Sequence, residues 1–121
     1  MKRKETGQMG ERVARDFLLK HGYDILTTNF RTPSGEIDIV ARKNDFLVFV
    51  EVRTKRSKDF GSPEESVTPL KKEHLIATAQ SYRESHQNLP EAWRIDFVAV
   101  EMDSRGKVKR VSLIENAVSE A

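Results

Sequence analysis

Cysteine is absent from this 121-residue chain. That excludes a disulfide framework and a thiolate zinc site, and it agrees with a reducing cytoplasm. No run of apolar residues is long enough to span a membrane, so no membrane partner is expected. Met1, Lys2, Arg3 and Lys4 carry the charge of a signal-peptide start, yet Glu5 to Glu11 holds no apolar core region. Apolar residues make up 37% and charged residues 33%, which implies a thin core under a heavily solvated surface. A net charge of +2 gives no general affinity for nucleic acid, so any such affinity has to come from local clustering. There is no internal repeat or low-complexity tract. The length fits one compact domain, with an ordered core over about residues 7–116 and fraying expected at Met1 to Thr6 and Ala117 to Ala121.

What is present is concentrated between Gly35 and Arg53. Glu36, Ile37, Asp38, Ile39, Val40, Ala41 and Arg42 lead into a polar break at Lys43, Asn44 and Asp45, and Phe46 to Arg53 follow as a second β-rich arm. A two-residue loop at Asn44 and Asp45 pairs Lys43 with Phe46, Val40 with Phe49, Asp38 with Glu51 and Glu36 with Arg53. Strand alternation then places Glu36, Asp38, Val40, Leu47, Phe49, Glu51 and Arg53 on one face, and Ile37, Ile39, Val48, Val50 and Val52 on the other. Two directly opposed acids are destabilising unless a cation lies between them. Asp38 and Glu51 therefore invite a hard, oxygen-seeking ion, Mg²⁺ or Mn²⁺.

The rest of the chain reads as support. Met9, Val13, Ala14, Phe17 and Leu18 form one face of a helix over Gly7 to His21, with Gly22 as its stop. Glu11 projects from the edge of that face, either as a first-turn carboxylate favoured by the helix dipole or as an acid leaning over what the helix covers. Tyr23 to Arg31 reads as a strand, and Thr32 to Gly35 as a turn. Arg53, Lys55, Arg56 and Lys58 put four positive charges into six residues directly after the acidic pair, where a phosphodiester would have to lie. Asp59 to Val67 is expected to be a mobile loop. Thr68 and Pro69 cap and open a second helix that runs to about His86. Lys71 and Lys72 stand in its first turn, where the dipole disfavours cations. A phosphate at that helix end would account for them, and so would plain solvation. His74 and Gln80 are within reach of the site by position, His74 more simply as a partly exposed helix residue. Leu75, Ala79 and Tyr82 give the helix its packing face. Trp93 to Glu101 and Lys107 to Ile114 read as further strands, and Asp96 within the first of them reads as a buried, hydrogen-bonded structural carboxylate.

The order, helix, three strands, helix, two strands, implies an α/β arrangement of helices against a mixed sheet. A helix between the third and fourth strands allows those two to run parallel.

Asp38 followed by Glu51, Val52 and Arg53 resembles the Asp, Glu-x-Lys signature of the PD-(D/E)XK nuclease superfamily. Several segments together resemble the YraN-type family of small uncharacterised proteins, related to the archaeal Holliday-junction resolvases. They are Gly10-Glu11, Asn29-Phe30-Arg31, Gly35-Glu36-Ile37-Asp38, Val48 to Val52, Phe60-Gly61 and Arg94 to Val98. The resemblance implies a restriction-endonuclease-like fold and a metal-dependent endonuclease acting on DNA, including branched or structured DNA. Glu11, Asp38 and Glu51 would hold Mg²⁺ or Mn²⁺. Arg53 would bind the scissile phosphate, and Lys55, Arg56, Lys58, Lys71 and Lys72 would grip flanking phosphates. It also implies a homodimer. Arg53 departs from the pattern, since it replaces the usual lysine and does not readily deprotonate. The alternative is a nucleic-acid-binding module that keeps the fold without the chemistry.

Overall fold

The computed structural model describes residues 3–56 and 67–118. The expected lysine at position 58 and the loop before Val67, apart from its last residue, lie outside the described residues. Two helices and five strands follow one another as α1 (Arg3–Lys20), β1 (Asp24–Thr32), β2 (Gly35–Lys43), β3 (Phe46–Arg56), α2 (Pro69–Ser85), β4 (Ala92–Met102) and β5 (Val108–Val118). The strands form a single mixed sheet in sequence order, antiparallel except where β3 and β4 run parallel across α2. The fold is thus α/β, in the expected element order. No described helix is long and apolar enough to cross a membrane.

Each helix covers one face of the sheet. Ala14 and Leu18 of α1 close over Ile39, Ala41, Val48, Val50, Val98 and Val100, with Met9, Val13 and Phe17 half-buried beside them. Leu75, Ala79 and Tyr82 of α2 close over Val40, Leu47, Phe49, Ile95 and Phe97 on the opposite face. Tyr82 is core, as expected, with Phe30 and Phe49 packed edge-on against its ring. Burying both faces of a five-stranded sheet is how a chain with few apolar residues assembles two small cores.

The capping signals lie where the sequence puts them. Gly22 adopts φ +82°, the Tyr23 amide donates to the Leu18 carbonyl at 3.0 Å, and the Gly22 amide donates to Leu19 at 3.2 Å. That pair of bonds is a Schellman close, which needs a left-handed residue at the position of Gly22. Thr68 Oγ1 accepts from the Lys71 amide at 3.1 Å, with Pro69 in the first helical position. α1 begins at Arg3, and buried Thr6 accepts from Arg56 Nη2 at 2.7 Å. β5 continues to Val118, which is buried against the core under α2.

The hairpin register is the expected one near its turn. Lys43 pairs with Phe46, Arg42 with Leu47 and Val40 with Phe49, and Asn44 takes φ +53° in the loop. The expectation fails further along. The β2–β3 ladder ends at Ile39 and Val50, so neither Asp38 with Glu51 nor Glu36 with Arg53 forms a ladder pair. Face alternation breaks at the same place. Ile37 and Val40 both face α2, whereas Ile39 and Ala41 face α1, so Ile37 does not share a face with Ile39 as strict alternation requires. On the neighbouring strand β1, Asn29 sits at φ +54° between Thr28, which pairs with Ile39, and Phe30, which pairs with Ile37. A left-handed residue inside a strand reverses which way its neighbours point, and Asn tolerates it better than most residues.

Candidate active site

Asp38 lies at this break. With the ladder ended, the Val52 amide on β3 has no carbonyl of β2 to meet, and it donates instead to Asp38 Oδ2 at 2.7 Å. The carboxylate thus substitutes for a backbone acceptor in the gap where β2 leaves β3. Glu51, one residue before Val52, pairs in parallel with Phe97 and shares the α2 face of the sheet. It is buried, at 3% exposure. Asp38 and Glu51 are close enough to raise the pKa of Asp38, although Asp38 comes in at a strand break and does not stand in the direct opposition that the hairpin reading expected.

Glu11 reaches the same place from the α1 side, close enough to Asp38 for that acid to raise its pKa. The approach depends on Gly10. A Cβ at Gly10 would lie 1.9 Å from Thr54 Oγ1, so α1 can rest directly on β3 only because position 10 has no side chain. Of the two readings of Glu11, the structure supports the acid leaning over the sheet. Three carboxyls from three elements therefore form a chain of contacts, Glu11 to Asp38 to Glu51.

The electrostatics follow from that crowding. Asp38 is pushed up to about 8, first by burial, then by its hydrogen bond to Glu51 and by the charge of Glu51, against the lowering effect of the Val52 amide. Glu11 is also raised, chiefly by burial, then by Asp38, with Arg15 one turn along α1 opposing the shift. At neutral pH burial and the neighbouring acid favour the protonated form of Asp38.

Two basic side chains flank the acids. Arg53 Nη1 lies 3.6 Å and Lys71 Nζ 3.4 Å from the same oxygen of Glu51, Oε2. The first-turn lysine of α2 is thus explained by a buried carboxylate beneath it, a contact between residues twenty positions apart that no local pattern carries. Lys72 is exposed on the same turn. Lys55 and Arg56 lie further along β3 and line a depression of about 200 Å³ with Glu101, Met102 and Lys109. Lys109 was not singled out from the sequence; only the β4–β5 pairing brings it there. Glu36 is half-buried and ion-paired with Arg31 at 3.4 Å. His74 and Gln80 are exposed on α2. Asp96 is the structural carboxylate expected: fully buried, it accepts from Arg94 Nε at 3.1 Å and from the Asn116 amide at 2.8 Å, where Asn116 bends β5 at φ +50°.

The donor set suits a hard cation, since Glu11, Asp38 and Glu51 offer oxygen alone. Among the described residues no three acidic, imidazole or thiol side chains form a ready-made cage. What the three carboxyls share with hard-cation ligands is their oxygen-only donor type.

Comparison with known proteins places these features in one family. Residues 10–100 match the model of a family described as Uncharacterised protein family UPF0102. A UPF0102 protein of Dehalococcoides mccartyi is 50% identical over 98% of this chain and 96% of its own length. UPF0102 proteins of Caldicellulosiruptor bescii and Moorella thermoacetica are 42% and 43% identical, each over 97% of this chain and 99% and 98% of their own lengths. With that match over both helices and the whole hairpin, the chain belongs to the UPF0102 family.

Proposed function

We propose that this protein is a divalent-cation-dependent endonuclease acting on DNA. The observation that carries the reading is the convergence of Glu11, Asp38 and Glu51, from α1, β2 and β3, at a strand break flanked by Arg53 and Lys71. A cluster of acids with two of its members raised in pKa is costly to the fold, and a bound cation and its ligand chemistry would account for it. Glu11, Asp38 and Glu51 would hold Mg²⁺ or Mn²⁺, which in such sites lowers the pKa of bound water and offsets charge on a phosphoryl oxygen. Arg53 would bind the scissile phosphate through its planar fork of donors and stabilise charge developing there. It does not serve as a base, because its guanidinium keeps its proton. Lys55, Arg56, Lys72 and Lys109 would hold flanking phosphates without reading sequence.

The restriction-endonuclease-like fold, and branched DNA as the preferred substrate, rest on the resemblance to the resolvases. Cutting two strands of a branched junction takes two such sites, and a homodimer belongs to this proposal for that reason. The second reading, a DNA-binding module without turnover, is favoured by one observation, Arg53 in the lysine position of the motif. A cleavage assay on four-way, flapped and linear DNA, with Mg²⁺ or with chelator, separates the two. The expected result is Mg²⁺-dependent cutting that Asp38→Asn abolishes. Salt-sensitive DNA binding with no cutting of any substrate would favour the binding module.

A further inference from the structure

We propose that Lys71 is the resident counter-ion of Glu51, released to a substrate phosphate when a divalent cation takes Glu51. This rests on the reading of the site given above. The two basic partners of Glu51 share one oxygen, Oε2, yet differ in how they are held. Arg53 is two residues along the same strand and faces the same way. Lys71 belongs to the other layer, in the first turn of α2, where there is no acidic residue and the helix dipole opposes its charge. Its side chain is 35% exposed while that of Glu51 is 4% exposed, so the ammonium stands at the mouth of the site and the carboxylate at its floor.

A lysine is a point charge on a flexible stem with three rotatable donors, and it can leave one anion for another without backbone movement. A divalent cation bound to Glu51 would be a like charge close to Nζ and would weaken the ion pair. The ammonium then turns to the next available anion, which in a DNA complex is the phosphate beside the cation. Lys71 would therefore couple the two binding events. Metal binding frees a phosphate-binding group, and by linkage bound DNA strengthens metal binding.

The test is Mn²⁺ calorimetry on the full chain, native and with Lys71→Met or Lys71→Arg, with circular dichroism to confirm folding and cleavage assayed on the same DNA. The Met variant, lacking the competing charge, should bind Mn²⁺ about tenfold more tightly. The same variant should cut with kcat lowered on the order of a hundredfold, as expected for loss of one donor to developing charge. The Arg variant should return Mn²⁺ affinity toward the native value. Opposite changes in metal affinity and turnover do not arise from a merely structural lysine. A folded Met variant with native or weaker Mn²⁺ affinity would overturn the proposal while leaving the metal site standing. Absence of Mn²⁺ binding in the native and Met proteins alike would remove both. An affinity gain with no cleavage by any variant would keep the counter-ion and remove the nuclease reading.

Discussion

Asp38 carries the most informative physics of any single residue here, because it is both a backbone surrogate and a misplaced acid. Its carboxyl is raised from 3.8 to about 8. Between those values the folded chain keeps a proton that the unfolded chain has released. The folded state is then the more protonated one, so stability contributed at low pH is lost as pH rises through this window. An amide at this position can still accept from the Val52 amide and donate to Glu51 with no proton to lose. In metal-free buffer the native protein should therefore lose stability relative to Asp38→Asn as pH rises from 5 to 8, by up to roughly 4 kcal/mol over those three pH units, with Tm falling in step. Thermal unfolding followed by circular dichroism across pH 5 to 8 checks this; parallel curves for the two proteins would show that Asp38 does not keep that proton. The sequence made Asp38 and Glu51 legible as a pair through the Asn44 and Asp45 turn. It did not show the strand break, because hydrophobic alternation assumes a regular ladder and that of β2 with β3 ends at Ile39 and Val50.

Among the elements, α1 decides whether Glu11 belongs to the site. Its apolar face was readable from spacing, but its height above the sheet was not, since that depends on Gly10 meeting Thr54 from a strand more than forty residues away. Gly10→Ala would drive a methyl into Thr54 Oγ1, and relief comes from turning the Thr54 side chain and easing α1 away from β3. The expected cost is about 1–3 kcal/mol in chemical denaturation, the range for overpacking a tight contact, together with weaker metal binding as Glu11 withdraws. Thr54→Ala in the same chain removes the clashing hydroxyl and should recover part of both losses. If Gly10→Ala alone leaves stability and metal affinity unchanged, the close approach of α1 is not what positions Glu11. α2 was legible in its cap, its start and its buried face. The ion pair from Lys71 to Glu51 was not, because it joins two layers whose relation only the folded sheet defines.

At the scale of the whole molecule, a single sheet covered on both faces brings side chains from both helices to the place where β2 and β3 part. Glu11 arrives with α1, Lys71 with α2, and Asp38 in the gap connects Glu11 to Glu51. Element order and strand directions followed from periodicity and turn chemistry, Asp38 and Glu51 from the hairpin register, and the resemblance added weight to Glu11. The basic surface was only partly legible, since Lys109 joins Lys55 and Arg56 through strand pairing. The central claim is that these acids form one cation site. It is tested most directly by calorimetric titration of Mn²⁺ into the native protein, Asp38→Asn and Glu51→Gln at pH 8, where about half of Asp38 is ionised before the cation binds. One cation bound by the native chain, with both substitutions abolishing it while the fold persists, is the expected result. Native Mn²⁺ binding that survives both substitutions would contradict the account, because the cation would then lie elsewhere.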